Sequence, residues 1–425
     1  MERNTSTYER VMFFEARWRP AYFAFHMRIT GVISADQLRK ALKSARARYP
    51  LSAVRLASGP GNRQYITTDN VPDYPVVVLN KETEWKSFVA QELVKKFDDC
   101  CGPMVNFYMI QSQEETHIIP VFHHAICDGL SAVVFLKDML VSLLEKSSFE
   151  ARNEFEPILI ECLRNDVKED FEKSELPDWI SHKLHLKIDM KPCPAKFHFL
   201  QPSFEIRTLE FDETQTSVLK EKAKEWGVSV HSFLGSIMLS TFASHFGRSL
   251  GHERIIQSPM DFRHFLDERA QNAFGLYMGI IKEKIDCGPG KSLKEIASQI
   301  NAGFRTKINS TETLKGYYMF MNHMLTGVED PEGFFYSSPK HDFMDYDFSL
   351  SNLGKLELPE NHEHRILEFH GPMFSAVDGE RIFGVNTANG KMTICMIYDN
   401  NCFCSKRAEG IFGEIENKLL NPAQL

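Results

Sequence analysis

The stretch from Val105 to Leu144 constrains the fold more than any other part of this chain. Two apolar, β-rich runs, Val105–Gln111 and Thr116–Phe122, flank the polar segment Ser112–Glu115 and predict a hairpin. Pro120 cannot donate to a ladder, so it predicts that the second run is an edge strand or that its own position is non-bonded. The hairpin leads directly into His123-His124-Ala125-Ile126-Cys127-Asp128-Gly129. An apolar segment from about Ser131 to Leu144 follows, in which Val133, Val134, Phe135, Met139, Leu140 and Leu143 predict a largely buried helix.

The other elements are legible by the same means. Ser34 and Gln37 form a capping box ahead of Leu38, Ala41, Leu42 and Ala45 at helical spacing, and Pro50 stops that helix. Its Arg39, Lys40, Lys43, Arg46 and Arg48 read as a solvated face rather than an anion site. Charged residues dominate from about Asn153 to Leu176, and Lys191-Pro192-Cys193-Pro194 reads as the end of a crossover. Beyond it come strand-like Phe204–Phe211, a helix capped by Asp212 and stopped at Gly227, and a helix carrying Phe233, Leu234, Ile237, Met238 and Phe242. Strand-like Arg254–Gln257 leads into Ser258-Pro259-Met260-Asp261-Phe262-Arg263. Asn389-Gly390 between apolar runs is a hairpin signal, and a last helix runs from about Ser405 to Leu420. Strands and helices alternate without a regular βαβ rhythm, which predicts an α/β fold of two halves with mixed sheets. We divide it as residues 1–175, a linker at 176–195, and 196–425.

Composition narrows the function. Among 425 residues, 43% are hydrophobic and 25% charged, enough apolar material for a sizeable core. The net charge of -8, from 49 basic and 57 acidic residues, argues against nucleic acid or an anionic membrane as the main partner. Nine cysteines with no C-x-x-C spacing exclude a disulfide scaffold and suit reduced thiols in a cytoplasm. No basic start precedes an apolar run, so no secretory leader is expected, and no apolar stretch approaches the ~20 residues of a spanning helix.

Several motifs resolve into ordinary structure. Gly290-Lys291-Ser292 resembles the tail of a phosphate loop, but Ile285 stands where its first glycine belongs, and Ser292 with Glu295 makes a capping box instead. Cys402/Cys404 and His362/His364 lack partners at metal spacing, so no metal is expected. Cys127 reads as a small buried hydrophobe. Phe334, Phe335, Tyr336, Phe343, Tyr346 and Phe348 read equally as an apolar acceptor pocket or as core. His124 is the informative residue. In strand geometry His123 and His124 point to opposite faces, so one can face a cavity while the other is structural. An imidazole titrating near ~6.5 is a credible general base. Asp128 either orients that base or pins the loop through an arginine, and Gly129 permits a tight turn or a close backbone approach.

His123-His124-x-x-x-Asp128-Gly129 resembles the HHxxxDG signature of the chloramphenicol acetyltransferase-like superfamily, which includes alcohol acetyltransferases, polyketide-associated acyltransferases, BAHD enzymes and condensation domains. Arg48-Tyr49-Pro50, Ser258–Arg263 and Phe348-Ser349-Leu350-Ser351-Asn352-Leu353-Gly354 resemble further elements of that group, the last being similar to the SNxG segment of its alcohol acetyltransferase branch. The DFGWG motif of BAHD enzymes has no counterpart: the nearest stretches are Asp261-Phe262-Arg263 and Tyr346-Asp347-Phe348-Ser349. The resemblance implies two pseudo-symmetric halves meeting at a tunnel. It implies an acyl group moving from an acyl thioester, acyl-CoA as co-substrate, to a small alcohol or amine, with no resident cofactor. His124 would be the base and His123 structural. Asp128 would face away from substrate and pair with an arginine, for which Arg263 is the candidate. Ser349, Ser351 or Asn352 would steady the oxyanion. The alternatives are a stand-alone condensation enzyme taking acyl groups from a carrier protein, and a non-catalytic binding protein of the same fold.

Overall fold

The computed structural model describes residues 1–59, 64–173, 202–246, 252–325, 346–377 and 379–425. The expected linker at 176–195 and the aromatic residues Phe334, Phe335, Tyr336 and Phe343 lie outside them.

Two mixed sheets organise the chain. The first has five strands in the order Ile366–Phe374, Tyr22–Thr30, Glu115–His123, Val105–Gln111, Val76–Val78. The second has six, in the order Met278–Asp286, Glu253–Asp261, Phe348–Leu356, Arg381–Ala388, Lys391–Asp399, Phe204–Phe211. Helices Ala35–Arg48 and Gly129–Glu145 cover one face of the first sheet, where Leu38, Leu42, Phe135, Leu136 and Met139 join Phe23, Phe25 and Phe122 in one core. Helices Glu213–Glu225, Val230–Phe246, Leu293–Ile308 and Ser405–Leu420 bury a second core on the other sheet. A third apolar layer, with Tyr22, Ala24, Ile119, Val121, Met373, Ile382, Cys395 and Ile397, lies between the sheets.

Local rules explain most boundaries. Ser34/Gln37, Asp212/Gln215 and Ser292/Glu295 each form a complete capping box at the helix starts they predict. Asn389 and Gly390 adopt positive φ of 46° and 88°, the conformation their hairpin requires. Tyr49 donates to Asp138 (2.5 Å), and Arg48 reaches the same carboxylate at 3.2 Å, joining the first helix to the second. Arg46 donates to the carbonyls of Val71 and Pro72, so the basic face is partly tied down rather than wholly solvated.

Two features sharpen the expectations. Glu115–His123 is an interior strand, not an edge, so of the two readings for Pro120 only the non-bonded one survives. Its ladder with Tyr22–Thr30 passes from Ala24↔Val121 to Met27↔Ile118, skipping the positions beside the proline that lacks an N–H. The second concerns the halves. Ile366–Phe374 belongs to residues 196–425 by sequence, yet it pairs antiparallel with Tyr22–Thr30 as an edge of the first sheet. Gly384 makes this crossover possible, because a Cβ there would stand 1.9 Å from the Pro372 carbonyl oxygen. No helix among the described residues is long and apolar enough to cross a membrane.

Candidate active site

The interior strand ends at His123, and the backbone then turns through Ala125–Asp128 into helix Gly129–Glu145. The main-chain N–H of His124 still donates to the Ala21 carbonyl (2.8 Å), which holds the ring's base in strand register. The two imidazoles then diverge. His123 is 1% exposed and packs among Phe13, Tyr22 and Phe97, with ring centroids 5.1, 5.2 and 5.7 Å away. Its Nδ1 accepts from the Ala125 N–H (3.0 Å), and burial pushes its pKa down to about 3. It is a neutral core residue.

His124 is half-buried and lies between Phe23 (5.1 Å, edge-on) and Phe374 (5.3 Å, stacked). These two aromatics come from Tyr22–Thr30 and from the crossover strand, so the ring stands where the halves meet. Its Nδ1 is 2.9 Å from the Cys127 carbonyl oxygen. A carbonyl can only accept, so Nδ1 carries the proton and Nε2 keeps the lone pair. Burial lowers the ring's pKa, against the opposing pull of the Cys127 hydrogen bond and the Asp128 charge. The result is a neutral imidazole in one tautomer with an available base nitrogen.

Asp128 does not touch that ring. It caps its helix, Oδ1 accepting from the Ser131 N–H (2.8 Å), while Oδ2 accepts from the Tyr277 N–H (2.8 Å) and lies 3.5 Å from Arg263 Nη1. Arg263 also donates to Asp261 (2.8 Å) and to the Ser131 hydroxyl (2.7 Å), and its guanidinium lies 4.8 Å from the Tyr277 ring centre. Burial lowers the Arg263 pKa, but the charges of Asp128 and Asp261 outweigh it and keep the group cationic. Asp128 and Arg263 are 3% and 6% exposed, so this network is a buried bolt between the halves. Gly129 serves close approach: a Cβ there would meet Leu353 Cδ2 at 3.2 Å.

Leu353 belongs to Phe348–Leu356, and strand alternation separates the oxyanion candidates. Phe348 and Leu350 enter the second core, which settles Phe348 as packing. Ser349 and Ser351 share the opposite side with Leu353, and both are 4% exposed. Gln257 donates to Ser349 (3.5 Å), and Asn352 Oδ1 accepts from the Gly354 N–H (2.9 Å). Tyr346 is buried and donates to Glu380.

Sequence reasoning did not single out Phe23, Phe374, Ser131 or Tyr277. An aromatic on a strand carries no signal beyond core, and a helical serine none beyond solvent. Cys402, Cys404 and His362 are exposed, while His364 is tied to the Thr30 carbonyl (2.8 Å).

Residues 201–397 match the family described as Phthiocerol/phthiodiolone dimycocerosyl transferase C-terminus, a stretch that does not include His123–Gly129. No curated protein sequence matches the chain. Among solved structures, the trichothecene 15-O-acetyltransferase of Fusarium sporotrichioides superposes with a TM-score of 0.72 at 12% identity, over 99% of this chain and 94% of that one. The polyketide synthase associated protein 5 of Mycobacterium tuberculosis gives 0.65 at 14% identity, over 99% and 97%. The cyclization-docking bidomain of a Sorangium cellulosum peptide synthetase gives 0.67 at 11% identity, over 99% and 84%.

Proposed function

We propose that this chain, which shares its fold with solved acyltransferases and condensation-type domains, acts as a member of the chloramphenicol acetyltransferase-like superfamily and moves an acyl group from acyl-CoA to a small alcohol or amine. The supporting observation is the His124 ring, neutral, fixed in one tautomer by the Cys127 carbonyl, and set between strands of the two halves.

The chemistry follows from that nitrogen. Nε2 takes the proton of the acceptor as its oxygen or nitrogen attacks the thioester carbonyl. The carbonyl π pair moves onto oxygen, giving a tetrahedral oxyanion whose stabilisation is usually the largest catalytic contribution. Ser349, Ser351 and Asn352 are the candidate donors for that charge, because the bonds that Ser349 Oγ and Asn352 Oδ1 accept do not use up the Ser349 hydroxyl proton or the Asn352 amide N–H groups. Collapse breaks the carbon–sulfur bond, and the imidazolium returns its proton to the departing thiolate. The charge on His124 lasts only through the intermediate, which suits a ring whose resting state is neutral. Asp128 keeps the turn in place through Arg263 and takes no proton. No resident cofactor enters this scheme.

The test is to incubate the pure protein with acyl-CoAs from acetyl to long-chain and a panel of alcohols and amines, quantifying free coenzyme A and product by mass spectrometry. Turnover that vanishes in His124→Ala supports the proposal. Turnover only with carrier-bound acyl groups would move the donor to a carrier protein. No turnover with either donor, together with normal ligand binding, would make the chain a non-catalytic member of the fold.

A further inference from the structure

The strands that flank His124 carry a second polar cluster on their opposite pleat, buried between the sheets. Along Tyr22–Thr30, Phe23, Phe25, Met27 and Ile29 enter the first core, while His26 and Arg28 face the other way. His26 is in register with His370 on the crossover strand. Both rings are fully buried and stack against Trp85, with centroids 4.0 and 5.1 Å from it. His370 Nε2 lies 3.3 Å from Glu368 Oε2 and 3.3 Å from Glu210 Oε1, the latter on strand Phe204–Phe211 of the second sheet. Ligand atoms of His26, Glu368 and His370 all fall within 4.8 Å of one another.

We propose that His26, Glu368 and His370, completed by Glu210, bind one zinc ion that ties the first sheet to the second. Four observations carry this. The two 3.3 Å separations equal the edges of a tetrahedron whose metal–ligand bonds are about 2.0–2.1 Å. His26 Nε2 is 2.8 Å from His117 Nδ1, and its Nδ1 is a buried nitrogen with no hydrogen-bond partner. An imidazole anchored through one nitrogen and unsatisfied at the other is how a metal-ligating histidine is held. The same set holds three carboxylates, Glu115, Glu210 and Glu368, against the single guanidinium of Arg28, which bonds Glu115 (3.1 Å) and Glu368. Carboxylates in excess of the one guanidinium favour a cation at this point. Finally, a cleft of about 310 Å³ lined by Glu210, Glu368, Phe369 and Lys391 opens on the carboxylate side of the cluster. Imidazole and carboxylate donors at these distances suit zinc better than the all-oxygen cations.

The test uses the full, untagged chain, stripped with a strong chelator and titrated with Zn2+. We expect one equivalent to bind, a rise in melting temperature that the chelator reverses, and visible absorption of tetrahedral type on replacement by Co2+. Glu210→Gln, at a half-exposed position that should not disturb folding, weakens binding by about 10-fold or more. His370→Ala abolishes it. Asp98→Asn, in the exposed Asp98–Cys100 cluster, leaves it unchanged. Failure to bind one equivalent, or binding that Glu210→Gln and His370→Ala leave intact, overturns the site. None of these readouts needs acyl transfer, so the zinc site and the proposed activity stand or fall separately.

Discussion

A single carbonyl decides which nitrogen of His124 carries the proton. The Cys127 oxygen fixes the proton on Nδ1, so Nε2 holds the lone pair without any carboxylate partner. Replacing His124 by alanine should lower kcat by about 10²–10⁴-fold in a variant whose circular dichroism shows the fold retained. The lowered pKa also has a sign. Since burial favours the neutral ring, kcat/KM should stay flat below the ordinary histidine pKa of ~6.5 and fall only on the more acidic side, as a pH–rate profile would show. An acidic limb above that value would contradict the electrostatics described here. Glu156 is the opposite case. It is 2% exposed, burial raises its pKa to about 7, and Oε1 has no hydrogen-bond partner. Its folded pKa exceeds the unfolded value of about 4.5, so stability is lost as pH rises from about 4.5 through 7. Glu156→Gln mimics the protonated acid, and should raise the melting temperature at pH 8 with little effect at pH 4.5.

At the scale of elements, the seam depends on contacts too close to yield. Gly384→Ala would drive a methyl group into the Pro372 carbonyl, a backbone atom that cannot rotate away. We expect a loss of about 3 kcal/mol in urea unfolding, together with weakened activity, since Phe374 is on the displaced strand. Asp128→Ala removes both a helix cap and the carboxylate shared with Arg263 and Tyr277. The cost should be about 3 kcal/mol, below the full penalty for a broken buried pair because Asp261 still partners the guanidinium. These couplings mark the limit of sequence reading. Ser34, Asp212, Ser292 and Asn389-Gly390 declare their helices and hairpin through bonds spanning a few residues, and each of those elements is present. Asp128 announces a cap, but the Tyr277 N–H that completes it belongs to a segment far along the chain. The crossover strand has no local mark at all. Its place depends on Gly384 clearing Pro372 and on register with Tyr22–Thr30, neither of which is written within Ile366–Phe374. The His26 cluster is hidden for the same reason: Arg28 and Glu368, which border it, are 340 positions apart.

For the whole molecule, the borrowed strand means that neither half is a self-sufficient unit. Residues 1–175 made alone would present Tyr22–Thr30 as a naked edge, and residues 196–425 would carry Ile366–Phe374 with nothing to bind. Expressed separately, each piece should aggregate. Expressed together, they should recover a 1:1 complex by size-exclusion chromatography, with whatever activity the intact chain has. Two pieces that each ran as stable monomers would contradict this account. The same strand that places Phe374 against His124 therefore also works as a lock and key between gene halves. It makes the protein a natural complementation pair, in which the candidate site exists only after both fragments have found each other.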